Sequence, residues 1–242
     1  MKKVCVIIPC FNEAENISVV VADIKKQCSQ EFEYLPLVVN DCSQDNTAAV
    51  AGEAGATVLD LPCNLGVGGA VQAGFKYALR NNYEYALKFD GDGQHLAECI
   101  NDLLTPLING TADMVIGSRF CRDHNGFKST FIRLIGIKFF CFLNSLLTGQ
   151  KITDNTSGFR AYNRKALEFA SIHYPAFDYP EPEEVVLMAK NGFKLKEVFA
   201  EMQPRQCGSS SINPLKSVYY MLKVAFAILM VAVRPPIRKV EK

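Results

Sequence analysis

Two aspartates separated by a single residue stand in the run Asp90-Gly91-Asp92-Gly93-Gln94-His95. Two carboxylates on one tight turn, with the Gln94 amide oxygen beside them, are hard oxygen donors suited to Mg²⁺ or Mn²⁺ carrying a diphosphate. An Asx turn would need only one of the two acids. Other acids also follow apolar runs: Glu13 in Pro9-Cys10-Phe11-Asn12-Glu13, and Asp41 and Asp45 after Asn40. Taken singly, Asp41 and Asp45 read equally well as helix caps. The run Asn64-Leu65-Gly66-Val67-Gly68-Gly69-Ala70-Val71 could cradle a phosphate at a helix N-terminus, or let a helix approach a sheet closely. It is not a dinucleotide fingerprint, because G-x-G-x-x-G started at Gly66 puts Val71 where the last glycine belongs. A G-x-x-x-x-G-K-[ST] phosphate loop is also missing from the sequence. Arg119 and Arg205 carry forked cations suited to phosphate oxygens, with surface salt bridges as the alternative.

The elements that must position these residues are legible as a rhythm. Apolar, β-prone runs at 4–10, 34–40, 57–61, 85–90 and 113–117 alternate with helical spacings such as Ile17, Val20, Val21, Ile24 and Val71, Phe75, Ala78, Leu79. Nearly continuous apolar strands are those of a parallel sheet covered on both faces, so the fold class is α/β, doubly wound and mostly parallel. Ligands in such sheets sit beyond the carboxyl ends of the strands, where the acids above fall. The 242 residues, at roughly 150 per domain, predict one large domain or one with an appendage. With 49% hydrophobic and 21% charged residues, disorder and collagen-like repeats are excluded. The formal charge of +1 argues against a globally basic nucleic-acid binder. From Arg205 onward, however, seven basic residues face Glu241 alone.

Taken in order, these motifs resemble the family-2 inverting glycosyltransferases of the GT-A fold. PCFNE (9–13) resembles P-x-Y-N-E, NDCSQDNT (40–47) resembles D-D-G-S-x-D-x-T, NLGVGGA resembles N-x-G-x-G-x-A, and DGDGQH resembles the D-x-D metal motif. The resemblance covers roughly residues 4–210. It implies that Pro9, Phe11, Glu13, Val39 and Asp41, with Asp90, Gly91, Asp92, Arg119 and Arg205, surround a nucleotide-diphosphate sugar. It also implies that Mg²⁺ or Mn²⁺ is held by Asp92 with Gln94 and Asp90. Asn40 and Cys42 depart from the Asp and Gly of the second motif. Downstream, Gly117-Ser118-Arg119-Phe120, Asp154-Asn155-Thr156-Ser157-Gly158-Phe159-Arg160 and Arg205-Gln206-Cys207-Gly208-Ser209-Ser210 are similar to the polyprenyl-phosphate sugar synthase branch. That branch implies a polyprenyl phosphate acceptor. Such an acceptor is already a nucleophile at neutral pH, so a strong base is less necessary than for a hydroxyl. The catalytic set read on this basis is Asp92 and Arg119, with Asp154 or Glu183 as base if one is used. Glu184, beside Glu183, reads as a solvated acid in a first helical turn.

A lipid acceptor calls for a membrane surface. Phe131 to Leu143 holds many large apolar residues and only two cations, and Leu215 to Val233 places Lys216 and Lys223 seven residues apart on one face. Both read as interfacial helices, with a buried core helix or a dimer seam as the alternative. The domain reading is therefore a GT-A catalytic domain over 1–210 and an amphipathic, basic helical extension over 211–242. The extension would meet the membrane, a small membrane-protein partner or a second copy. The apolar run Val224 to Val233 is only ten residues, short of the roughly 20 that span a bilayer. Nine cysteines without a C-x-x-C pair, and Asn12 to Asn16 cutting short the first apolar run, predict reduced thiols, no secretory signal and a peripheral, cytoplasmic protein. Two rivals stand beside this reading. A transferase of the same fold acting on a saccharide hydroxyl would need a committed base, and a silent membrane scaffold is argued against by the intact Asp90-x-Asp92.

Overall fold

The computed structural model of the chain describes residues 1–121, 131–175, 181–203 and 214–237. Its strands are β1 (Lys2–Cys10), β2 (Phe32–Asn40), β3 (Thr57–Asp60), β4 (Tyr85–Lys88), β5 (Met114–Ser118), β6 (Arg160–Asn163) and β7 (Leu195–Phe199). They form one sheet in the order β3-β2-β1-β4-β6-β5-β7, with β6 running antiparallel between β4 and β5 and the other pairings parallel. The helices are α1 (Ile17–Lys26), α2 (Thr47–Glu53), α3 (Gly66–Arg80), α4 (Ile100–Ile108), α5 (Phe131–Thr148), α6 (Arg164–His173), α7 (Glu181–Lys190) and α8 (Pro214–Val233).

Alternation along β1 explains why its run is apolar throughout. Val4, Val6 and Ile8 join the core built with α1 and α4, while Cys5 and Ile7 join the core built with α3 and α6. Both faces of the strand are dry, as expected of a doubly wound sheet. On the α3 side the helix comes close. A Cβ on Gly74 would stand 2.4 Å from Ile7 Cγ2, so a close helix-to-sheet approach falls at Gly74.

The C-terminal helix is not a free appendage. Val224 and Ile228 of α8 are buried with Phe140 of α5 and Val186 of α7, and Lys190 of α7 donates to the carbonyls of Val231, Ala232 and Arg234 at the end of α8. A cation on the last carbonyls of a helix meets both their unsatisfied acceptors and the negative end of the dipole. The eight cysteines among the described residues form no disulfide, and among those residues no helix is long and apolar enough to cross a membrane.

Candidate active site

The carboxyl edge of the sheet is assembled from loops that lace into one another. After β1, the chain turns at Asn12 in the left-handed region (φ 56°), and after β2 it does the same at Cys42 (φ 61°). The Asn12 amide donates to Ser43 Oγ at 3.0 Å and Asn12 Oδ1 accepts from the Gln44 amide at 2.8 Å. The Glu13 amide donates to Thr47 Oγ1 at 2.9 Å, and Ala14 donates to Asp45 at 3.2 Å. These bonds hold Pro9, half-buried, and Phe11, which is 47% exposed, at the rim. The departure at Cys42 falls at a position where glycine would carry no steric strain.

Asp41 and Asp45 each accept a main-chain amide at the start of a helix, although the N-cap positions themselves are Leu65 and Asn46. Asp41 Oδ1 accepts the Leu65 amide at 2.6 Å, and Asn64 Oδ1 accepts the Gly66 amide at 3.1 Å, so the first donors of α3 are taken by side chains of this chain. Burial pushes the Asp41 carboxyl up, and the amides of Leu65 and Gly66 oppose it. Asp45 accepts from the Thr47 amide at 3.0 Å; burial raises its carboxyl, but the bonds from Thr47 and Ala14 outweigh that and leave it below the usual range. Val39 is fully buried against the α3-side core, so its side chain is packing material and any ligand there would meet main chain.

The turn beyond β4 carries the Asp90-x-Asp92 pair. Gly91 is required by space, because a Cβ there would lie 2.8 Å from Cys10 Sγ at the end of β1. Cys10 reports the local field: its thiol is pushed well up by burial first, then by Glu13, Asp90, Asp45 and Asp92. Asp90 is held by its own neighbourhood. His95 Nδ1 accepts the Asp90 amide at 3.0 Å, which leaves the ring proton on Nε2, 3.3 Å from Asp90 Oδ2. His95 is buried, stacks on Phe159 with centroids 4.8 Å apart and meets Phe89 edge-on at 5.2 Å. Burial holds its pKa below the ordinary value, against the pull of Asp90. On the other side, a Cβ at Gly158 would come within 2.9 Å of Asp90 Oδ2. Asp92 Oδ1 accepts the Gln94 amide at 3.1 Å, and the Gln94 carbonyl accepts Gln203 N–H at 2.8 Å.

Whether these groups suit a divalent cation can be judged from the donor set. Asp90 is partly exposed, Asp92 half-buried, and both offer carboxylate oxygens at one edge; among the described residues no three His, Cys, Asp or Glu side chains gather as a closed cage. Two carboxylates with an open remainder fit a hard cation that completes its shell with phosphate oxygens and water.

A buried cation lies within the electrostatic reach of Asp90. Arg119 Nε and Nη2 bond Asp154 Oδ2 and Oδ1 at 2.6 and 2.7 Å, and Nη2 also reaches Thr156 Oγ1 at 2.8 Å. Arg119 is 8% exposed and Asp154 is 0% exposed, so this pair is not a surface salt bridge. Desolvated Asp154 thus has both carboxylate oxygens on the guanidinium, a bidentate pair that fixes the fork of Arg119. Glu183, the other candidate base, lies buried on α7 towards α8; burial raises its carboxyl to about 7, with Lys223 opposing. Arg205 lies outside the described residues.

Sequence reasoning misplaced Glu184 and passed over several groups. Glu184 is not solvated: it is 1% exposed and its Oε2 accepts from Arg160 Nη1 at 2.7 Å and from the Tyr162 hydroxyl at 3.2 Å. Next to it, Lys88 of β4 pairs with Glu181. The signal that could have found Lys88 and Glu197 is a charge on an apolar strand face: Lys88 within Tyr85–Phe89, and Glu197 between Leu195 and Phe199 at the period of two.

The sequence matches the glycosyl transferase family 2 over residues 5–169. It is 33% identical to a polyprenol monophosphomannose synthase of Mycolicibacterium smegmatis, across 93% of this chain and 86% of that protein. It is 29% identical to a UDP-N-acetylglucosamine–dolichyl-phosphate N-acetylglucosaminyltransferase of Methanococcus voltae, across 81% and 84% respectively. Among solved structures it resembles glucosyl-3-phosphoglycerate synthase from Mycobacterium tuberculosis in complex with Mn²⁺, UDP-glucose and phosphoglyceric acid. That likeness has a TM-score of 0.71 at 17% identity, over 97% of this chain and 81% of that one.

Proposed function

The chain belongs to glycosyl transferase family 2, with the GT-A fold, and from that premise we propose that it moves a sugar from a nucleotide-diphosphate sugar to a polyprenyl phosphate at a membrane surface, with inversion. That it is a glycosyltransferase rests on the family; donor, acceptor and metal are the proposal. The observation that carries it is the juxtaposition, at the carboxyl edge, of the Asp90–Asp92 turn with the buried Arg119–Asp154 pair. The loop before β6 joins them: Asp154 near its start binds the Arg119 guanidinium, and Gly158 near its end lies against the Asp90 carboxylate. The names of the relatives, two of which act on or make polyprenyl-type phosphates, support the acceptor class.

In this reading an acceptor phosphate oxygen attacks the anomeric carbon, forming the new C–O bond as the bond to the nucleoside diphosphate breaks. Asp90 and Asp92, with Gln94 beside them, would hold Mg²⁺ or Mn²⁺, which when bound neutralises charge growing on the leaving diphosphate. Arg119, preset by Asp154, takes a phosphate oxygen, and Arg205 a second one. Pro9, Phe11, Glu13 and Asp41 border the nucleotide, with Val39 and Gly91 contributing main chain. No strong base is required, consistent with Asp154 being engaged by Arg119.

The membrane face falls on α5 and α8. Phe139, Phe142 and Leu146 on α5, and Phe226, Leu229, Met230 and Val233 on α8, are exposed large apolar side chains, and Lys138, Lys223 and Arg234 are exposed among them. Apolar residues flanked by cations are the pattern of an interfacial surface. We take 1–210 as the catalytic part and 211–242 as the part that adds α8 to this face. The test is incubation with GDP-mannose, UDP-glucose and UDP-N-acetylglucosamine in turn, Mn²⁺ and undecaprenyl phosphate, with mass detection of the lipid product. Glycosylated lipid is expected; transfer only to saccharide hydroxyls would overturn the acceptor.

A further inference from the structure

Glu197 lies on β7, in register with Ile116 of β5, and its side chain reaches into the loop that precedes β6. Its carboxylate accepts the Thr153 amide at 2.9 and 3.0 Å, the Thr153 hydroxyl at 2.9 Å and the Asp154 amide at 2.8 Å. From there two arms run to Arg119. In one, the Asp154 carboxylate accepts the Arg119 amide at 3.1 Å as well as its guanidinium. In the other, Thr153 Oγ1 and Ser118 Oγ are 2.7 Å apart, and Ser118 Oγ accepts the Phe120 amide at 3.1 Å. An ionised carboxylate only accepts, so the direction of the relay is fixed: Ser118 donates to Thr153, and Thr153 donates to Glu197. The residue on either side of Arg119 and both ends of Arg119 itself are thus tied to one acid that no substrate need touch.

We propose that Glu197 is a positioning residue for sugar transfer, locking the Thr153–Asp154 backbone so that Asp154 presets the Arg119 guanidinium before phosphate arrives. The inference rests on the reading of Arg119 as a phosphate ligand. Preorganised donors are the large contributors to catalysis, and a misplacement of about 1 Å can cost about 100-fold in rate. Glutamine at 197 has nearly the same shape, but its amide nitrogen can only donate: with its oxygen kept for the two loop amides, the Thr153 hydroxyl must turn round to accept, and the Ser118–Thr153 bond reverses with it.

The experiment is a double-mutant cycle of Glu197→Gln and Arg119→Lys, read by kcat/KM for transfer to undecaprenyl phosphate, by pyrophosphate affinity and by melting temperature. Glu197→Gln is expected to lower kcat/KM at least 10-fold in the wild-type background and less than 2-fold in the Arg119→Lys background, because the two act through one group. An equal loss in both backgrounds, or wild-type activity in folded Glu197→Gln, would overturn the proposal. Wild-type activity and pyrophosphate affinity in Arg119→Lys would overturn it together with the phosphate reading. If wild type transfers to no lipid, the acceptor assignment fails separately, and the cycle is decided by pyrophosphate binding with the same two outcomes. Should Glu197→Gln not fold, Thr153→Val takes its place in the cycle, removing the hydroxyl relay while leaving both amide bonds.

Discussion

Gly158→Ala separates the site from the scaffold. The glycine is not in the left-handed region, so its backbone accepts alanine without strain. What the new methyl meets is the Asp90 carboxylate, at 2.9 Å from Oδ2 and 3.1 Å from Oδ1, where ordinary contact begins at 3.4 Å. Oδ2 must therefore retreat by about 0.5 Å, taken as 3.4 less 2.9 Å. His95 Nε2, 3.3 Å away, is held in place by its stack on Phe159 and cannot follow freely. Scaling from about 100-fold per 1 Å, the shift costs about 10-fold in rate, or about 1.4 kcal/mol of transition-state stabilisation. Stability should barely respond. A partly exposed carboxylate gives way easily, and Gly→Ala stiffens the unfolded chain by about 0.4–1 kcal/mol, so the melting temperature should stay within about 3 °C of wild type. The assays are transfer rate, Mn²⁺ affinity by paramagnetic titration, and thermal melting. Wild-type rate and Mn²⁺ affinity in Gly158→Ala would show that Asp90 needs no particular placement and refute the reasoning.

Three further outcomes are expected. Asp92→Asn should abolish transfer, as should excess EDTA acting on wild type, because the diphosphate charge is then uncompensated; full activity in EDTA would remove the metal from the mechanism. Glu183 has an ordinary value of 4.5 and is raised to about 7 by burial, so its contribution to stability is complete below about pH 4.5 and is lost as pH rises through 7. Glu183→Gln should therefore be more stable than wild type at pH 8 by about 3 kcal/mol and similar at pH 4.5, in denaturant midpoints; parallel curves for the two proteins would contradict the assignment. Wild type should co-sediment with anionic vesicles at low salt, and Lys216→Glu with Lys223→Glu should release most of it at about 1 kcal/mol per cation; no binding by wild type would end the membrane reading.

How far the sequence speaks depends on how local each constraint is. The apolar runs at 4–10, 34–40, 57–61, 85–90 and 113–117 correspond to β1 to β5 within a few residues; inner strands such as β1 and β5 are dry on both faces and carry the signal along their own length, while the edge strand β3 is only partly covered. Ile17, Val20, Val21 and Ile24 are all buried on α1, as helical spacing predicts. β6 and β7 escape the same reasoning. β6 is Arg-Ala-Tyr-Asn, four residues with a buried arginine at its start, and it enters the sheet antiparallel between strands far from it in sequence. β7, Leu-Lys-Glu-Val-Phe, alternates weakly, because Glu197 occupies a position that composition would give to a hydrophobe.

The site divides along the same line. Asp90-x-Asp92 and the turns after β1 and β2 are contiguous, so their chemistry can be read from spacing. The partners that aim them are not contiguous: Glu197 to Asp154 spans 43 residues, Arg119 to Asp154 spans 35, and Arg160 to Glu184 spans 24. Glu184 shows what goes wrong when a local rule is applied alone. An acid in the first turn of a helix is favourable in water, but residues 181–188 of α7 are all buried, and there a lone carboxylate would be costly. Arg160 resolves that cost, and breaking such a pair from one side costs about 3–5 kcal/mol. The charged residues that seem misplaced in apolar strands, Lys88, Arg160 and Glu197, are therefore one feature: each has a buried acid or a loop backbone as its counterpart. In this sheet, Arg160 and Glu197 fasten the loop before β6, and Lys88 and Arg160 fasten α7.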